Sequence, residues 1–439
     1  MRASRESKWM GAPASPPVVV LGAGFAGLRA VRRLGRAGVG TLWVDAHNYH
    51  CFLPLLYQVA TAGLEPQEIA YPARSILRRL RAVDFRLARV VGGDPAGRTL
   101  VTAGGEHIAY SHLIVCTGGA AEDFGIPGVR EHAFHLYQLD DARALRNHVL
   151  RTLERAAVCT DSAARAALLT FLIVGAGATG VEMAGALAEF RRHVVPRDYR
   201  TVDPAELRLV VLEAGEHVLP PYPAALRARA RRDLEAFGVE VLTGRRVERV
   251  AGDHVELSGG ERLATRTVIW AAGIRAAPVA ARLGLPTGRS GRLCVAPTLQ
   301  VPGFPAVFAA GDVALVEGAE RLPQVAQVAI QQGELAAENV RRARRGEPLL
   351  PFRYADKGSM ATIGRSRAVA VVNGVRLTGR LAWWAWLVVH LVMLIGFRNR
   401  LVVLVDWAWN YFTYDRGLRA IVGAEDEAGG PGTRSPGPA

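Results

Sequence analysis

The chain has 439 residues, 50% of them hydrophobic, with 47 glycines and a formal net charge of +14 carried mostly by arginine. That length predicts two or three domains, and the composition excludes a disordered chain. A basic balance suits nucleic acid, an anionic membrane face or phosphate-bearing cofactors. No RNA-binding motif, helix-turn-helix signature or zinc-finger spacing is present, so nucleic acid is excluded as a partner.

The N-terminus "MRASRESKWMGAPASPP" has no apolar core and is not a secretory signal. Its Arg and Ser resemble a transit peptide, but Glu6 and its brevity argue against one, so a disordered leader over 1–15 is expected. The folded part opens at "VVVLGAGFAGLRAVRRL", where Val18–Leu21 predict a buried strand. Gly22, Gly24 and Gly27 then form G-x-G-x-x-G ahead of a helix. The first glycine permits a tight turn, the second admits a pyrophosphate, and the third lets helix pack on strand. The helix N-terminus supplies amide donors for the phosphates. "GTLWVDA" predicts the next strand, ending in Asp45, an acceptor for adenosine ribose hydroxyls. "HLIVCTGG" is a further apolar strand ending in Thr117-Gly118. Four cysteines, Cys51, Cys116, Cys159 and Cys294, show no CxxC and no metal spacing, so free thiols and no metal site are expected.

"ALLTFLIVGAGATGVEMAGALAEF" repeats the design. A strand over Leu168–Val174 leads to Gly175, Gly177 and Gly180 and a helix, and "LRLVVLEAG" is a later strand ending in Glu213. "RRHVVPRDYRTVDPAE" intervenes as an inserted connection. No Arg or Lys follows Glu213 directly, which favours NADH over NADPH. "TVIWAAGIRAAP" is a strand reaching Gly273, and "PAVFAAGDVA" places Gly311-Asp312 after another, where Asp312 can also serve as a plain helix cap. Two dinucleotides in one chain point to hydride transfer from a nicotinamide to a flavin.

"AQVAIQQG" sets Gln327 and Gln331 four apart, on one face of a helix. Such amides either cap local backbone or face a polar, uncharged ligand. "LAWWAWLVVHLVMLIGF" (381–397) is an apolar run at the lower limit for spanning a bilayer, broken by His390, whose expected role is structural. The next segment, "LVVLVDWAWNYFTY", carries Asp406 and Asn410 on one face, with Trp407, Trp409, Tyr411 and Phe412 as interfacial residues. Asp406 makes a second span costly, so an in-plane pair of amphipathic helices is expected. A hydrophobic dimer interface uses the same chemistry. The Gly- and Pro-rich tail from Gly423 is expected to be disordered.

The order of these pieces resembles the two-dinucleotide-binding-domain flavoprotein superfamily and, within it, type II NADH dehydrogenase, the single-subunit NADH:quinone oxidoreductase. Four stretches carry the resemblance: "HNYHCFLPLLYQVATAGLEPQEIAYPAR", "VGAGATGVEMAGALAE", "AQVAIQQG" and "GFRNRLVVLVDWAWNYFTYDRG". It covers about residues 16–422 and departs at Gln332, where the family often carries Glu, which removes a titratable carboxylate near the quinone.

The resemblance implies an α/β fold of two Rossmann-like dinucleotide-binding domains, the FAD domain discontinuous and the NADH domain inserted, plus C-terminal amphipathic membrane-associated helices. Its boundaries are 16–140 and 289–378 for FAD, 141–288 for NADH, 379–422 for the helices and 423–439 for the tail. It implies FAD at Gly22, Gly24, Phe25, Ala26, Gly27, Asp45, Ala46, Thr61, Thr117, Gly118, Gly311, Asp312, Ala326 and Gln327. It implies NADH at Gly175, Gly177, Thr179, Gly180, Glu182, Glu213, Ala272 and Gly273. Gln327 and Gln331 would face the quinone, and Glu182 would take part in proton transfer, although an acid in a first helical turn also simply favours the helix dipole. The implied partners are a membrane quinone (ubiquinone or menaquinone), the lipid bilayer surface and a second copy in a homodimer. The implied place is the cytoplasmic face of a bacterial plasma membrane, bound peripherally. Sulfide:quinone reductase is the alternative in the superfamily, but its chemistry needs a cysteine pair near the flavin. A soluble ferredoxin-type reductase would not need residues 381–412. A redox-inactive, NADH-sensing membrane protein is the alternative from another class.

Overall fold

Short runs of β-branched and aliphatic residues that stop at glycine sort into two mainly parallel sheets. The computed structural model describes residues 15–319, 322–413 and 419–422, with only the backbone given for 410–413. Nearly all of the expected leader, the tail from 423, and the side chains of Asn410, Tyr411 and Phe412 lie outside the described residues. The chain forms two compact units, one from residues 1–51, 71–120 and 274–355 and the other from 52–70, 121–273 and 356–439.

In the first unit six strands form a sheet in the order Gln300–Val301, Phe304–Ala309, His112–Val115, Val18–Leu21, Thr41–Asp45, Val83–Leu87. All neighbours run parallel except the first pair. Val18–Leu21 lies inside the sheet with every residue buried, which is why it reads as an unbroken apolar run. The Phe25–Arg36 helix comes next and packs on the Ala326–Ala343 helix. Gly333 makes that contact possible, because a Cβ there would stand 2.2 Å from the Ala26 carbonyl oxygen. Gly333→Ala is expected to cost about 1–3 kcal/mol through overpacking. The check is the thermal midpoint together with flavin content, since the displaced backbone at Ala26 belongs to the first glycine loop. Unchanged values for both would contradict the contact.

The second unit holds a five-stranded parallel sheet in the order Ala133–His135, Thr267–Trp270, Thr170–Val174, Arg208–Glu213, Val239–Thr243. The Thr170–Val174 strand starts two residues later than expected, because Ser162–Leu168 is a helix whose first amides are held by Asp161. The inserted connection begins as the last turn of the Ala178–His193 helix, then makes the short helices Val195–Asp198 and Pro204–Glu206. An antiparallel sheet of Gly358–Gly364, Arg367–Val372 and Val375–Thr378 packs on the Ala178–His193 helix at Gly185, where a Cβ would meet the Ile363 carbonyl oxygen at 2.1 Å. Residues 52–70, 121–140 and 356–378 join the second unit, and 274–288 joins the first.

Two helices, Gly379–Met393 and Phe397–Thr413, complete the second unit. Each has two apolar faces with different fates. Ala382 and Trp386 of the first, Val403 of the second and Leu394 between them are buried, while Leu381, Trp384, Val388 and Val392 of the first and Leu401, Leu404 and Val405 of the second are largely exposed. No helix among the described residues is long and apolar enough to cross a membrane.

Candidate active site

The first glycine loop is built by close backbone packing. Gly22 has φ +112°, and a Cβ there would strike the Cys116 carbonyl oxygen at 2.1 Å. At Gly27 a Cβ would strike the Gly22 oxygen at 1.9 Å, so the helix and the strand both require glycine. Gly24, the N-cap, has open space where its Cβ would be, and the helix it starts has no side-chain cap. The first-turn amides thus have no side-chain acceptor and no Cβ at the N-cap to shield them, the arrangement that receives an anionic group. Asp45 is held in place by Ala23 N at 2.5 Å and His47 N at 2.6 Å. Thr117 contributes a buried hydroxyl with no hydrogen-bond partner among the described residues, and Gly311, with φ +85°, donates its N–H to Gln332 Oε1 at 2.7 Å beside Asp312. Phe25, Ala46, Gly118 and Ala326 are half-buried, and Ala26 is buried.

The second loop repeats this geometry in the second unit. Gly175 has φ +99°, and a Cβ at Gly180 would lie 1.9 Å from the Gly175 oxygen. Gly177 is again an N-cap with open space and no side-chain cap. Glu213 Oε2 accepts from Ala176 N at 2.8 Å, the counterpart of the Asp45–Ala23 bond, and Oε1 accepts from Gly215 N at 2.8 Å. Thr179 and Gly273 are exposed and Ala272 is half-buried. These two cradles fit dinucleotide pyrophosphates on the structure's own terms: uncapped helix amides, absent Cβ atoms and an oriented acid at the next strand's end.

Glu182 follows that loop in the Ala178–His193 helix. It is buried and lines a cavity of about 430 Å³ walled by Tyr57, Thr61, Trp383, Trp386 and Trp407. Burial pushes its carboxyl up to about 8, against the opposing pull of the Thr362 amide at 3.4 Å and the neighbouring Trp386 indole. That indole N–H has no aligned acceptor among the described residues. Glu182 therefore holds a proton at neutral pH inside an apolar chamber. Thr61, expected at the flavin, belongs to this cavity wall and donates its hydroxyl to the Tyr57 carbonyl at 2.9 Å. The wall is tied by a chain of bonds: Trp407 Nε1 donates to Gln58 Oε1 at 2.8 Å, and Gln58 Nε2 donates to Tyr57 Oη at 2.9 Å. His390 stacks on Trp386 with ring centroids 4.0 Å apart, and burial lowers it to about 4, so it packs there as a neutral ring. Asp406, which marked the last helix as unfit to span a bilayer, pairs with Glu68, whose carboxyl burial and then Asp406 push up to about 8.

The glutamines divide their work. Gln331 has both amide ends on one backbone: Nε2 donates to Ala355 O at 2.9 Å, and Oε1 accepts from Ala355 N at 3.0 Å. Gln327 is half-buried in the first turn of the same helix. Gln332 points to Gly311, so the carboxylate lost there relative to the family pattern would have faced this unit's own backbone. Sequence reasoning missed His50, which has one ring nitrogen 2.7 Å from the Ala23 carbonyl and is kept neutral by burial, with its value lowered to about 4. It also missed Glu189 and His193, which continue from Glu182 at helical spacing along the same cavity wall. The i, i+7, i+11 spacing was legible, but not which face would be enclosed.

The fold and the paired cradles define a flavin- and pyridine-nucleotide-type oxidoreductase. The family described as pyridine nucleotide-disulphide oxidoreductase matches residues 16–333, and that described as the NDH2 C-terminal domain matches residues 357–414. Two Mycobacterium tuberculosis proteins named type II NADH:quinone oxidoreductase, Ndh and NdhA, are 38% and 39% identical. These alignments cover 93% and 92% of this chain and 91% and 89% of the relatives. The structure of NDH2 from Plasmodium falciparum in complex with RYL-552 matches with a TM-score of 0.83 at 18% identity, covering 93% of this chain and 100% of that one. The chain belongs to the type II NADH:quinone oxidoreductase family.

Proposed function

We propose that this protein is an FAD-dependent NADH:quinone oxidoreductase, passing two electrons from NADH to a membrane quinone without pumping protons. The observation that carries the reading is the pair of open glycine cradles, each with an acid oriented by the loop's own amide. Bound FAD would supply hydride acceptance and electron transfer to quinone. Gly22, Gly24, Phe25, Ala26, Gly27, Asp45, Ala46, Thr117, Gly118, Gly311, Asp312, Ala326 and Gln327 would hold it. Gly175, Gly177, Thr179, Gly180, Glu213, Ala272 and Gly273 would hold NADH. The Trp-walled cavity suits an apolar quinone, with Glu182 as proton donor. Gln331 acts through the Ala355 backbone it grips, as a positioning residue. Sulfide chemistry is not favoured, because all four cysteines are free and burial pushes the Cys51 and Cys116 thiols far up. The exposed apolar stripe of the C-terminal helices supports peripheral attachment to a bilayer, which we place on the cytoplasmic face, and a homodimer.

The test is anaerobic reduction by NADH followed by reoxidation with quinone, watched by flavin absorbance. Bound FAD that NADH fails to bleach, or reduced protein that quinone fails to reoxidise, would sink the proposal. Cofactor choice gives a finer check. Glu213 would repel a 2′-phosphate, so NADH is expected to be strongly preferred over NADPH. Glu213→Gln is expected to narrow that preference roughly tenfold, equivalent to about 1.4 kcal/mol of relieved repulsion. Equal catalytic efficiency with both donors in the unmodified protein would refute the role of Glu213.

A further inference from the structure

The second unit carries a surface groove that shares only Arg365 with the Trp-walled cavity. Its walls hold five guanidinium groups and one carboxylate: Arg229, Arg232, Arg365, Arg367, Arg380 and Asp233. Arg229, Arg232 and Asp233 lie on one face of the Ala224–Ala236 helix. Arg365 and Arg367 flank Ser366, whose φ of +60° makes the turn between two strands. Gly379 and Arg380 start the Gly379–Met393 helix.

Asp233 is shared. Its carboxylate meets Arg229 at 2.8 Å and Arg367 at 3.6 Å. Arg367 also lies over the Phe237 ring at 4.5 Å. Arg232 and Arg380 form no ion pair among the described residues. With Asp233 in the walls and the Glu189 carboxylate on the Arg365 amide, Arg232 and Arg380 still stand without an ion pair among the described residues, so the groove is an anion-attracting field. The helix start deepens it. Its N-cap has no side-chain hydrogen bond, its first turn has no acid, and it carries Arg380 where the helix dipole disfavours a cation. The Arg229 guanidinium stands 3.8 Å from where a Gly379 Cβ would be, at that same helix start. An anion seated there would meet first-turn amides and a guanidinium fork together.

The next turns of the same helix identify the anion. Leu381, Trp384, Val388 and Val392 recur at helical spacing and are 72%, 56%, 57% and 60% exposed. A basic groove whose Arg380 is followed in the same helix by an exposed apolar stripe matches a molecule with a phosphate at one end and acyl chains at the other. We infer that this groove binds the phosphate of an anionic phospholipid, with the acyl chains laid along the 381–392 stripe. The inference rests on the proposed bilayer attachment and adds a defined headgroup site to it.

The test uses the FAD-loaded full chain in flotation with vesicles of phosphatidylcholine alone or with phosphatidylglycerol. Wild type is expected to partition at least tenfold more strongly onto the anionic vesicles, the scale of a few arginines near a charged leaflet. The double variant Arg232→Gln/Arg380→Gln is expected to lose most of that preference. It should keep its binding to neutral vesicles, its flavin and its turnover with a water-soluble quinone. A control pair of exposed arginines outside the groove, Arg246→Gln/Arg249→Gln, should lose less than threefold. Equal losses in the two pairs would mean diffuse adsorption and overturn the site. Equal wild-type binding to both vesicle types would overturn it while leaving bilayer attachment intact. Binding to neither would sink attachment itself. Inorganic phosphate separates the sources: if it raises the melting temperature of wild type but not of the groove variant, without reducing flotation, the ligand is a soluble anion and the lipid assignment fails.

Discussion

Glu182→Gln is expected to slow the quinone half-reaction by about 10²- to 10⁴-fold, the usual weight of a positioned general acid, while reduction by NADH stays near the wild-type rate. The carboxyl is buried in the Trp-walled cavity and held protonated up to about 8. Glutamine keeps the size and the hydrogen-bonding outline but has no proton to give. Wild-type reoxidation should therefore fall as pH rises through about 8, where Glu182 loses its proton, and the variant should be slow and flat there. Stability carries the same signature. The folded carboxyl keeps its proton up to about 8, whereas the ordinary value is 4.5, so the folded state holds the extra proton between those values. Stability should fall as pH rises through that window, and the variant should lose part of the slope. A residual slope of the same sign should remain from Glu68, also raised to about 8. Equal slowing of both half-reactions would mean that Glu182 supports the fold and not the proton transfer.

Trp386→Ala is expected to cost ~3–5 kcal/mol, because a fully buried indole is replaced by a hole. Trp386 is 1% exposed, stacks on His390, and packs near Tyr57 and Trp407. The midpoint of thermal unfolding should drop, and turnover with a water-soluble quinone should drop with it, since the same ring walls the cavity. This changes the meaning of a truncation before Leu381. From sequence, that cut should release the protein from membranes and spare activity with soluble quinone. In the structure it also removes Ala382, Trp386, Leu394 and Val403 from the interior. The discriminating change is on exposed positions that do not line the cavity: Leu381→Ser, Val389→Ser and Val392→Ser together should release the protein from vesicles yet keep its midpoint and soluble-quinone turnover. Full vesicle binding by that triple variant would show that the stripe is not the attachment surface.

The amino-acid sequence by itself determined the two glycine cradles and their acids. Gly27 and Gly180 are demanded by the Gly22 and Gly175 oxygens inside one strand–loop–helix unit, Gly22 and Gly175 by positive φ and a neighbouring strand's end, and Gly24 and Gly177 leave open space at the helix start, so the spacing is legible locally. Asp45 and Glu213 end the next strands in the two sheets, and apolar runs mark such buried strands plainly. The tertiary structure alone decided what Glu182, Gln331 and the C-terminal helices face. Glu182 comes just after a nucleotide loop in sequence, but its carboxyl meets Thr362, 180 residues away. Gln331 spends its amide on Ala355, and Trp386 turns inward where Trp384 turns out. Helical periodicity gives the faces of a helix, not the element that will cover each one. That choice rests on close approaches such as Gly185 against Ile363, which put a strand from the end of the chain over the Ala178–His193 helix and so enclose the cavity.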